Sequence, residues 1–242
     1  MVKLENISKI YKGSTEFAVN GISLSINKGE IFGLLGTNGA GKTTVFSMLC
    51  GLFPPTSGEI YINNLSVRTQ ISKIKKIIGI VPQNIALYPT LTAKENLVFF
   101  GKMYGLKGKT LYKTIENQLN IFGLTKFADK KIKTYSGGMK RRINLIAGIL
   151  HNPELLLLDE PAVGIDARSR LEIMQELKKI NKKGTTIIYT SHYLEEAEKF
   201  CSDIAIIEKG KILSKGKPAE LIKENKHKNL EDYFFELTGN KN

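Results

Sequence analysis

Residues Ile31 to Thr44 read IFGLLGTNGAGKTT, and this stretch decides the fold. The near-continuous apolar run from Ile31 to Leu35 is typical of a strand buried on both faces of a parallel sheet. The loop that follows, Gly36 to Thr44, fits the pattern G-x-x-x-x-G-K-[S/T], and the VFSMLCGL segment after it is helix-like. A strand, a glycine-rich loop and a helix in this order predict a phosphate-binding loop.

The residues of this loop suit a nucleotide that is bound together with a metal ion. Glycines let successive backbone N–H groups converge on phosphate, and the positive end of the following helix adds to them. Lys42 is predicted to reach the β- and γ-phosphates, and Thr43 to place its hydroxyl on Mg²⁺. The other predicted contacts of the loop are Gly36, Thr37, Asn38, Gly39, Ala40, Gly41 and Thr44. A simple glycine turn is the alternative, and the matching flanks argue against it.

A second apolar run, ELLLLDEP from Glu154 to Pro161, ends in two acids. A magnesium nucleotide site needs a carboxylate at the carboxyl end of a core strand, and hydrolysis needs a second group that orients the attacking water. We predict that Asp159 takes the first role and Glu160 the second. Any strand must leave the core through a polar loop, so this pattern gains its weight from the phosphate-binding loop.

Between these two motifs lies YSGGMKRR, from Tyr135 to Arg142. Ser136, Gly137 and Gly138 precede an apolar-periodic helix, and bare backbone N–H groups with a hydroxyl donor suit a second anion-binding site. A simple helix N-cap is the alternative. The position of the motif, immediately before the acidic strand, favours the anion site.

The remaining segments predict an α/β fold. Three β-like segments predict an antiparallel sheet at one edge: Val2 to Ile7, Ile22 to Ile26 and Gly58 to Ile62. Buried strands are predicted at Ile31 to Leu35, Ile77 to Val81, Leu155 to Leu158, Thr186 to Thr190 and Ile204 to Ile207. Thr92 to Lys133 has helical periodicity and no convincing strand, so we interpret it as a helical insertion. Pro218 to Leu237 is interpreted as two short amphipathic helices.

Composition excludes several classes of protein. With 242 residues, 42% hydrophobic and 24% charged, the chain is ordinary globular protein and not disordered or collagen-like. Its longest strongly apolar runs are far shorter than the roughly 18 residues of a membrane span, and its N-terminus lacks signal-peptide features. We expect a cytosolic protein. Two cysteines, Cys50 and Cys201, are too few for a disulfide framework or metal cluster, and both are predicted to be buried.

Positive charge is concentrated in one segment. The chain has a formal net charge of +13, and the stretch from Lys102 to Arg142 holds eleven basic residues against Glu116 and Asp129, which is +9 of that total. Such an excess suits nucleic acid or anionic lipid headgroups. A solvated lysine-rich surface is an equal alternative, because no aromatic-rich nucleic-acid motif accompanies the charge.

Taken together, these motifs resemble the nucleotide-binding subunit of ATP-binding cassette transporters, over essentially the whole chain. The order and spacing of the set carry the resemblance: the phosphate loop, Gln83 after a strand, the signature from Tyr135 to Met139, Asp159-Glu160, Gly164 to Asp166, and His192 after a strand. The signature differs from the commoner Leu-Ser-Gly-Gly-Gln at both ends, while its Ser-Gly-Gly centre is intact. Ala86 to Leu106, YSGGMKRR and Asn229 to Gly239 resemble the drug, antibiotic and polysaccharide exporter branch.

The resemblance implies roles for four further residues. Gln83 would ligate the metal and contact the attacking water, and His192 would donate a hydrogen bond to the γ-phosphate. Tyr11 matches the aromatic residue that stacks on adenine, and Asp166 would bridge two subunits. Without the family pattern, each position also has a purely structural interpretation, such as a surface glutamine or a tyrosine at a strand end.

The resemblance also implies an architecture and partners. We expect a P-loop NTPase fold with a mainly parallel sheet, an N-terminal antiparallel β subdomain and a helical insertion, all in one domain. Its parts would be an α/β core (1–91 and 134–215), a helical subdomain (92–133) and a helical tail (216–242).

The expected activity is Mg²⁺-dependent ATP hydrolysis by a homodimer or heterodimer on the cytoplasmic face of the membrane. It would power transport, as export, through a separate transmembrane permease, without a specific nucleic acid. The alternatives are a soluble ATPase acting on the ribosome or DNA and an inactive regulatory cassette. Paired cassettes or long coiled-coil insertions, which would support the first, are absent from the sequence, and intact Lys42, Asp159, Glu160 and His192 argue against the second.

Overall fold

The computed structural model describes residues 1–239, and its strands form two sheets. In chain order the strands are β1 (Val2–Ile10), β2 (Phe17–Ile26), β3 (Ile31–Leu35), β4 (Ser57–Ile62), β5 (Leu65–Ser66), β6 (Ile78–Val81), β7 (Leu155–Asp159), β8 (Thr186–Ser191), β9 (Asp203–Glu208) and β10 (Lys211–Gly216). One sheet is antiparallel, with the order β2-β1-β4-β5, and the other has the order β10-β9-β3-β8-β7-β6. The predicted combination of an antiparallel edge sheet and a mainly parallel sheet is confirmed.

Helices cover both faces of the larger sheet. They are α1 (Lys42–Leu49), α2 (Ile71–Ile74), α3 (Ala93–Met103), α4 (Gly108–Ile121), α5 (Gly137–Ile149), α6 (Ala167–Lys182), α7 (Leu194–Phe200), α8 (Pro218–Glu224) and α9 (Leu230–Thr238). The helical insertion is confirmed as α3 and α4 with two short 3₁₀ turns. Helices α8 and α9 lie in the stretch interpreted as a helical tail (216–242), of which residues 240–242 lie outside the described part of the chain. Within residues 1–239, none of the helices combines the length and the apolar character that a membrane span requires.

Alternation along β3 divides the apolar interior into two layers. Phe32 and Leu34 face a cluster shared with the antiparallel sheet and α1, whereas Ile31 and Leu35 face a cluster shared with α3, α4, α5 and α6. Cys50 and Cys201 are both buried, as predicted. The central strand therefore holds the two layers together, and the loop that follows it is anchored in the middle of the molecule.

The register of the parallel strands brings their carboxyl ends to one edge of the sheet. Leu35 pairs with Ser191, Asp159 with Thr190, and Val81 with Leu158. Polar residues that follow four different strands therefore meet at this edge, as expected for open α/β sheets.

The structure differs from the sequence-based expectations in several places, and β2, for example, begins at Phe17 instead of Ile22. Strand β10 was not predicted from the sequence; its residues KILSKG alternate between half-buried and exposed side chains and pair antiparallel with β9. Arg141 and Arg142 were counted among the residues of the basic segment, but their side chains turn inward and are bound to backbone carbonyls. Helix α5 has one face toward the core, and that face includes Arg141.

Candidate active site

The phosphate-binding loop is held by close backbone packing. A Cβ atom at Gly36 would lie 2.3 Å from the carbonyl oxygen of Ile207, so the loop passes β9 only because this residue is glycine. Gly41 has φ 109°, which favours glycine, and it precedes the first residue of α1. The nucleotide-binding positions predicted from the sequence thus form one turn from β3 into α1.

Lys42 is buried inside this loop and is fixed by it. Its Nζ donates hydrogen bonds to the carbonyl oxygens of Gly36, at 2.8 Å, and Thr37, at 2.9 Å. Burial lowers the pKa of Lys42, and the nearby carboxylates of Glu160 and Asp159 oppose that shift. The ammonium group therefore stands close to both predicted acids.

Asp159 ends β7 and is 5% exposed. Thr190 Oγ1, from the neighbouring strand β8, donates a 2.5 Å hydrogen bond to its Oδ1. Burial raises the pKa of Asp159, and the hydrogen bond from Thr190 and the charge of Lys42 act in the opposite direction. Because burial disfavours the negative charge of Asp159, a cation bound to this carboxylate would be stabilised.

Glu160 is the point at which the predicted catalytic residues converge. Gln83 Nε2 donates to Glu160 Oε2 at 2.8 Å, and His192 Nδ1 lies 2.9 Å from Oε1, where the carboxylate is the acceptor. Glu160 itself has φ 48°, and its backbone N–H is held by Thr190 Oγ1 at 3.1 Å. Three residues separated widely in sequence thus form one hydrogen-bonded set.

A cavity of about 180 Å³ lies between this set and the phosphate loop. Its lining residues are Ala18, Asn38, Gly39, Gly41, Lys42, Thr43, Thr44, Gln83 and Glu160. A larger cleft of about 570 Å³, between α6 and α7, includes His192 but none of the phosphate-loop residues. We assign the chemistry to the smaller cavity because Lys42 and Glu160 face it together.

Tyr11 lies beside the phosphate loop. Its hydroxyl is 3.1 Å from Thr44 Oγ1, and its ring, 43% exposed, meets Phe53 edge to face with centroids 5.7 Å apart. Lys9 Nζ lies 4.6 Å from the centroid of Phe53. The exposed face of Tyr11 is therefore available to a flat ring.

The Ser-Gly-Gly motif lies away from this cavity and beside Asp166. Ser136 caps α5 by accepting a hydrogen bond from the backbone N–H of Met139, at 3.3 Å, and Gly138 packs so closely on Ser169 that a Cβ would lie 2.5 Å from its Oγ. Asp166 caps α6 by accepting from the backbone and hydroxyl of Ser169, and these bonds lower its pKa. Ser136, Gly137 and Asp166 are exposed.

Four residues near the site were missed by sequence reasoning. Arg141 and Asn144 bind the loop that contains Gln83, Thr190 holds Asp159 and Glu160, and Glu208 accepts a 2.7 Å hydrogen bond from the Thr37 hydroxyl. Helical spacing was the available signal for Arg141, because it lies three residues after Gly138 and four before Leu145 on one face of α5.

The donor set fits a nucleotide-bound magnesium ion better than a metal held by protein alone. Over the described part of the chain, no group of three or more His, Cys, Asp and Glu residues is placed to hold a metal. Mg²⁺ is usually held by one or two carboxylates together with substrate phosphates. One buried carboxylate, Asp159, beside a phosphate-binding loop meets that description.

Family and structure comparisons agree with this geometry. The family model described as ABC transporter matches residues 19–163, and a shorter one, described as AAA domain, putative AbiEii toxin, Type IV TA system, matches residues 131–196. The chain is 52% identical over 221 residues to the linearmycin resistance ATP-binding protein of Bacillus subtilis (strain 168), covering 91% of this chain and 70% of that protein. It is 36% identical to the Nod factor export ATP-binding protein I of Ralstonia nicotianae, covering 92% and 68%.

Solved structures give the same result. An ATP-binding subunit of an ABC transporter superposes with a TM-score of 0.89 at 25% identity, covering 98% of this chain and 99% of its own. The ATP-binding cassette MJ0796, solved as a dimer in a post-hydrolysis state with ADP and Pi, gives 0.81 at 32% identity, covering 90% and 98%.

The chain therefore belongs to the ABC transporter family. Within that family it is an ATP-binding and ATP-hydrolysing subunit that powers transport through separate transmembrane subunits, and its relatives lie in the drug and antibiotic exporter branch.

Proposed function

We propose that this chain hydrolyses Mg²⁺-ATP as one half of a dimer and drives export through a permease on the cytoplasmic face of the membrane. The observation that carries the proposal is the convergence of Gln83 and His192 on Glu160, beside the buried ammonium of Lys42. The proposed direction, export, is that of the Nod factor relatives, and the linearmycin resistance relative is 52% identical over 91% of this chain.

Each residue of the site has a task in hydrolysis. Glu160 orients a water molecule and accepts its proton, because its carboxylate is held in place from two sides by Gln83 and His192. Lys42 supplies fixed positive charge, and His192, with Nδ1 engaged by Glu160, has Nε2 for the γ-phosphate. When bound, Mg²⁺ supplies charge neutralisation at the phosphates. Thr43, Gln83 and Asp159 are the residues that would hold it.

The nucleotide is proposed to be shared between two subunits. Small-molecule sites usually measure about 300–1,000 Å³, whereas the cavity at the phosphate loop is about 180 Å³, and none of its lining residues comes from Ser136 to Gly138. We propose that Ser136, Gly137 and Gly138 of a second subunit cover the nucleotide, that Tyr11 stacks on adenine, and that Asp166 lies at the contact between the subunits. The partner is either a second copy or a related cassette.

A sedimentation experiment tests the shared site. Glu160→Gln retains the shape of the side chain and loses the carboxylate, so ATP should accumulate on the protein and hold dimers together. We expect Glu160→Gln to sediment as a monomer without nucleotide and as a dimer with ATP. A Glu160→Gln protein that binds ATP and remains monomeric at every concentration would contradict the shared site.

Docking to the permease is proposed on the helical subdomain. Eight lysines form a basic surface on this subdomain, here called the lysine surface: Lys102, Lys107, Lys109, Lys113, Lys126, Lys130, Lys131 and Lys133. Large apolar side chains are also exposed there or on the loop before α3, including Tyr88, Phe99, Met103 and Tyr112. Exposed aromatic and apolar groups rimmed by charge are typical of protein interfaces. The remaining parts of residues 1–242 are proposed to act with this subdomain as one cassette.

Copurification tests this docking. The expected partner is a protein with several hydrophobic spans encoded beside this chain, and we expect it to retain the cassette on membranes after a wash that removes loosely bound protein. Weak, salt-sensitive binding to DNA is expected of any such basic surface. Tight sequence-specific DNA binding at physiological salt would favour the alternative function, that of a soluble ATPase acting on DNA.

A further inference from the structure

Arg141 is a buried cation on α5 that binds two loops of the active site. It is 5% exposed, and its Nη1 donates to the carbonyl oxygens of Pro82, at 3.3 Å, and Gln83, at 2.7 Å. Its Nη2 donates to the carbonyl oxygen of Val163 at 3.2 Å. Its guanidinium therefore spans the gap between the loop after β6 and the loop after β7.

Both of these loops act directly on Glu160. Gln83, whose backbone carbonyl Arg141 holds, donates its side-chain amide to Glu160 Oε2 at 2.8 Å. Val163 lies in the turn that begins at Glu160, and its N–H donates to the carbonyl oxygen of Glu160 at 3.3 Å. Displacing the guanidinium would thus free Glu160 on the side of Gln83 and at the backbone turn together.

The same face of α5 holds the Gln83 loop at further points. Asn144, one turn after Arg141, donates to the carbonyl oxygen of Pro82 at 3.4 Å and accepts from the backbone N–H of Ala86 at 3.3 Å. Gly148 allows α5 to approach β6 closely, since a Cβ there would lie 2.8 Å from Val81 Cγ2. Helix α5 and the loop that contains Gln83 are therefore one packed unit.

The charge and the donor geometry of Arg141 both bear on its role. Burial lowers its pKa, and the negative charge of Glu160 acts in the opposite direction, so the two groups are close enough to interact. A guanidinium presents five donors in a fixed planar fork, which suits carbonyl groups on two separate loops better than the single ammonium of lysine.

From this geometry we propose that Arg141 is a positioning residue for ATP hydrolysis: it fixes Gln83 and the backbone after Glu160 to α5. The proposal rests on the proposed function, because α5 begins at the Ser-Gly-Gly motif that we place against the nucleotide of the partner subunit. Arg141 would then transmit the position of that motif to Glu160 in its own subunit.

Steady-state kinetics of single substitutions test the proposal. Misplacing catalytic groups by about 1 Å costs about 100-fold in rate, so we expect Arg141→Met to lower kcat by about 100-fold with little change in KM for ATP. Arg141→Lys retains the positive charge and can bind one of the two loops. We therefore expect its kcat to exceed that of Arg141→Met and to lie about 10-fold below that of the unchanged protein.

Arg142 is the matched control on the next position of α5. It is partly buried, donates to the carbonyl oxygen of Phe122 at 3.3 Å and pairs with Glu172 at 3.1 Å, but none of its recorded bonds reaches the loops around Glu160. Arg142→Met therefore removes a comparable set of bonds from the same helix. We expect the kcat of Arg142→Met to remain within about twofold of that of the unchanged protein. This should hold even if Arg142→Met and Arg141→Met lower the melting temperature equally.

The possible outcomes distinguish failure of the proposed function from failure of the positioning role of Arg141. If the unchanged protein fails to hydrolyse Mg²⁺-ATP, the proposed function fails. If it hydrolyses ATP and Arg141→Met matches Arg142→Met in kcat, the positioning role is wrong. Should Arg141→Met not fold, Arg141→Lys decides: a lower kcat with unchanged KM and melting temperature supports the role, and an unchanged kcat overturns it.

Discussion

The two polar regions of this chain differ in how their groups are satisfied. At the phosphate loop, Lys42, Asp159 and Glu160 are buried. Lys42 donates to carbonyl groups of its own loop, Asp159 accepts from Thr190 of the neighbouring strand, and Glu160 accepts from Gln83. At the Ser-Gly-Gly motif, Ser136 and Asp166 are exposed, and each accepts hydrogen bonds only from the first turn of its own helix. The first region is a finished cluster of buried, hydrogen-bonded groups, whereas the second presents helix N-termini to its surroundings.

This difference indicates which groups the chain prepares in advance and which it leaves to assembly. Catalytic charges must be fixed before reaction, because their stabilising effect depends on avoiding reorganisation. Helix N-termini that bind an anion from outside must remain open until that anion arrives. Substitutions at the phosphate loop should therefore impair ATP binding or hydrolysis within the subunit, whereas substitutions at the Ser-Gly-Gly motif should impair the site that two subunits share.

The largest effect is expected at the centre of the finished cluster. Glu160→Gln should bind ATP as well as the unchanged protein and lose hydrolysis by about 100-fold to 10,000-fold, the range for removal of a general base. Phosphate release measured with saturating Mg²⁺-ATP checks this. Near-normal release would rule out Glu160 as the base.

The next effect concerns binding. Lys42→Ala removes the ammonium that charge-assists the phosphate contacts, and such a hydrogen bond contributes about 1.5–3 kcal/mol. We expect the dissociation constant for ATP to rise by about 10-fold to 100-fold. Calorimetric titration measures it, with Glu160→Gln as the control that keeps affinity, and equal affinities for the two variants would contradict the separate roles.

A mixing experiment compares the two regions directly. Ser136→Arg blocks the exposed motif and Lys42→Ala disables the buried cluster, so each variant should be inactive alone. A mixed dimer contains one intact composite site, and we expect partial hydrolysis when the two are combined. Mixtures that remain as inactive as their components, although mixed dimers form, would mean that both sites must act together.

A smaller effect is expected at the entrance to the helical subdomain. Asn96 is fully buried, and its amide holds the backbone of Tyr88, accepting at 2.8 Å and donating at 3.1 Å. Asn96→Ala leaves these groups unpaired, which costs about 1–3 kcal/mol and should lower the melting temperature by several degrees. Thermal unfolding measures this, with exposed Asn117→Ala as the control; equal melting temperatures would contradict it.

The smallest intrinsic effect is expected on the lysine surface. Lys109→Glu with Lys113→Glu should change stability by less than about 0.5 kcal/mol and leave ATP hydrolysis of the isolated chain unchanged. Retention on permease-containing membranes should fall, and more so at low salt. Lys75→Glu with Lys76→Glu, exposed outside this subdomain, is the matched control. Equal retention of both pairs would remove docking from this surface.

The sequence predicted the parts of the fold that depend on local pattern. Apolar runs such as Leu155 to Leu158 identified the buried strands, and the motif from Ile31 to Thr44 identified the strand, the loop and the start of the helix that follow one another there. β10 was missed because its lysine-rich, half-exposed pattern resembles a loop, and its strand character comes from pairing with β9.

The candidate site residues show the same contrast between local pattern and tertiary structure. Gln83, Glu160 and His192 were predicted because each follows a strand in the order of the family's motifs, although the hydrogen bonds among them depend on the register of β6, β7 and β8. Arg141 was placed on the surface because a run of Lys-Arg-Arg has the composition of solvent-exposed charge. Its true neighbours, the carbonyl groups of Gln83 and Val163, are about 58 and 22 positions away, and only the tertiary structure brings them together.

The central position of β3 has a consequence for folding of the chain during its synthesis on the ribosome. Both strands that flank β3 are distant in sequence, because Ile31 pairs with Ile187 and Phe32 with Asp203. The turn at Gly210 also donates to the carbonyl oxygen of Ala40, so the back of the phosphate loop is closed by a residue made still later. At about 5–20 residues per second, the loop emerges roughly 8–30 s before its supports. Nascent chains in that interval should be unable to use ATP as a folding ligand, and contacts of such long range form slowly. Nucleotide binding would therefore begin only after the chain has been synthesised at least as far as Gly210.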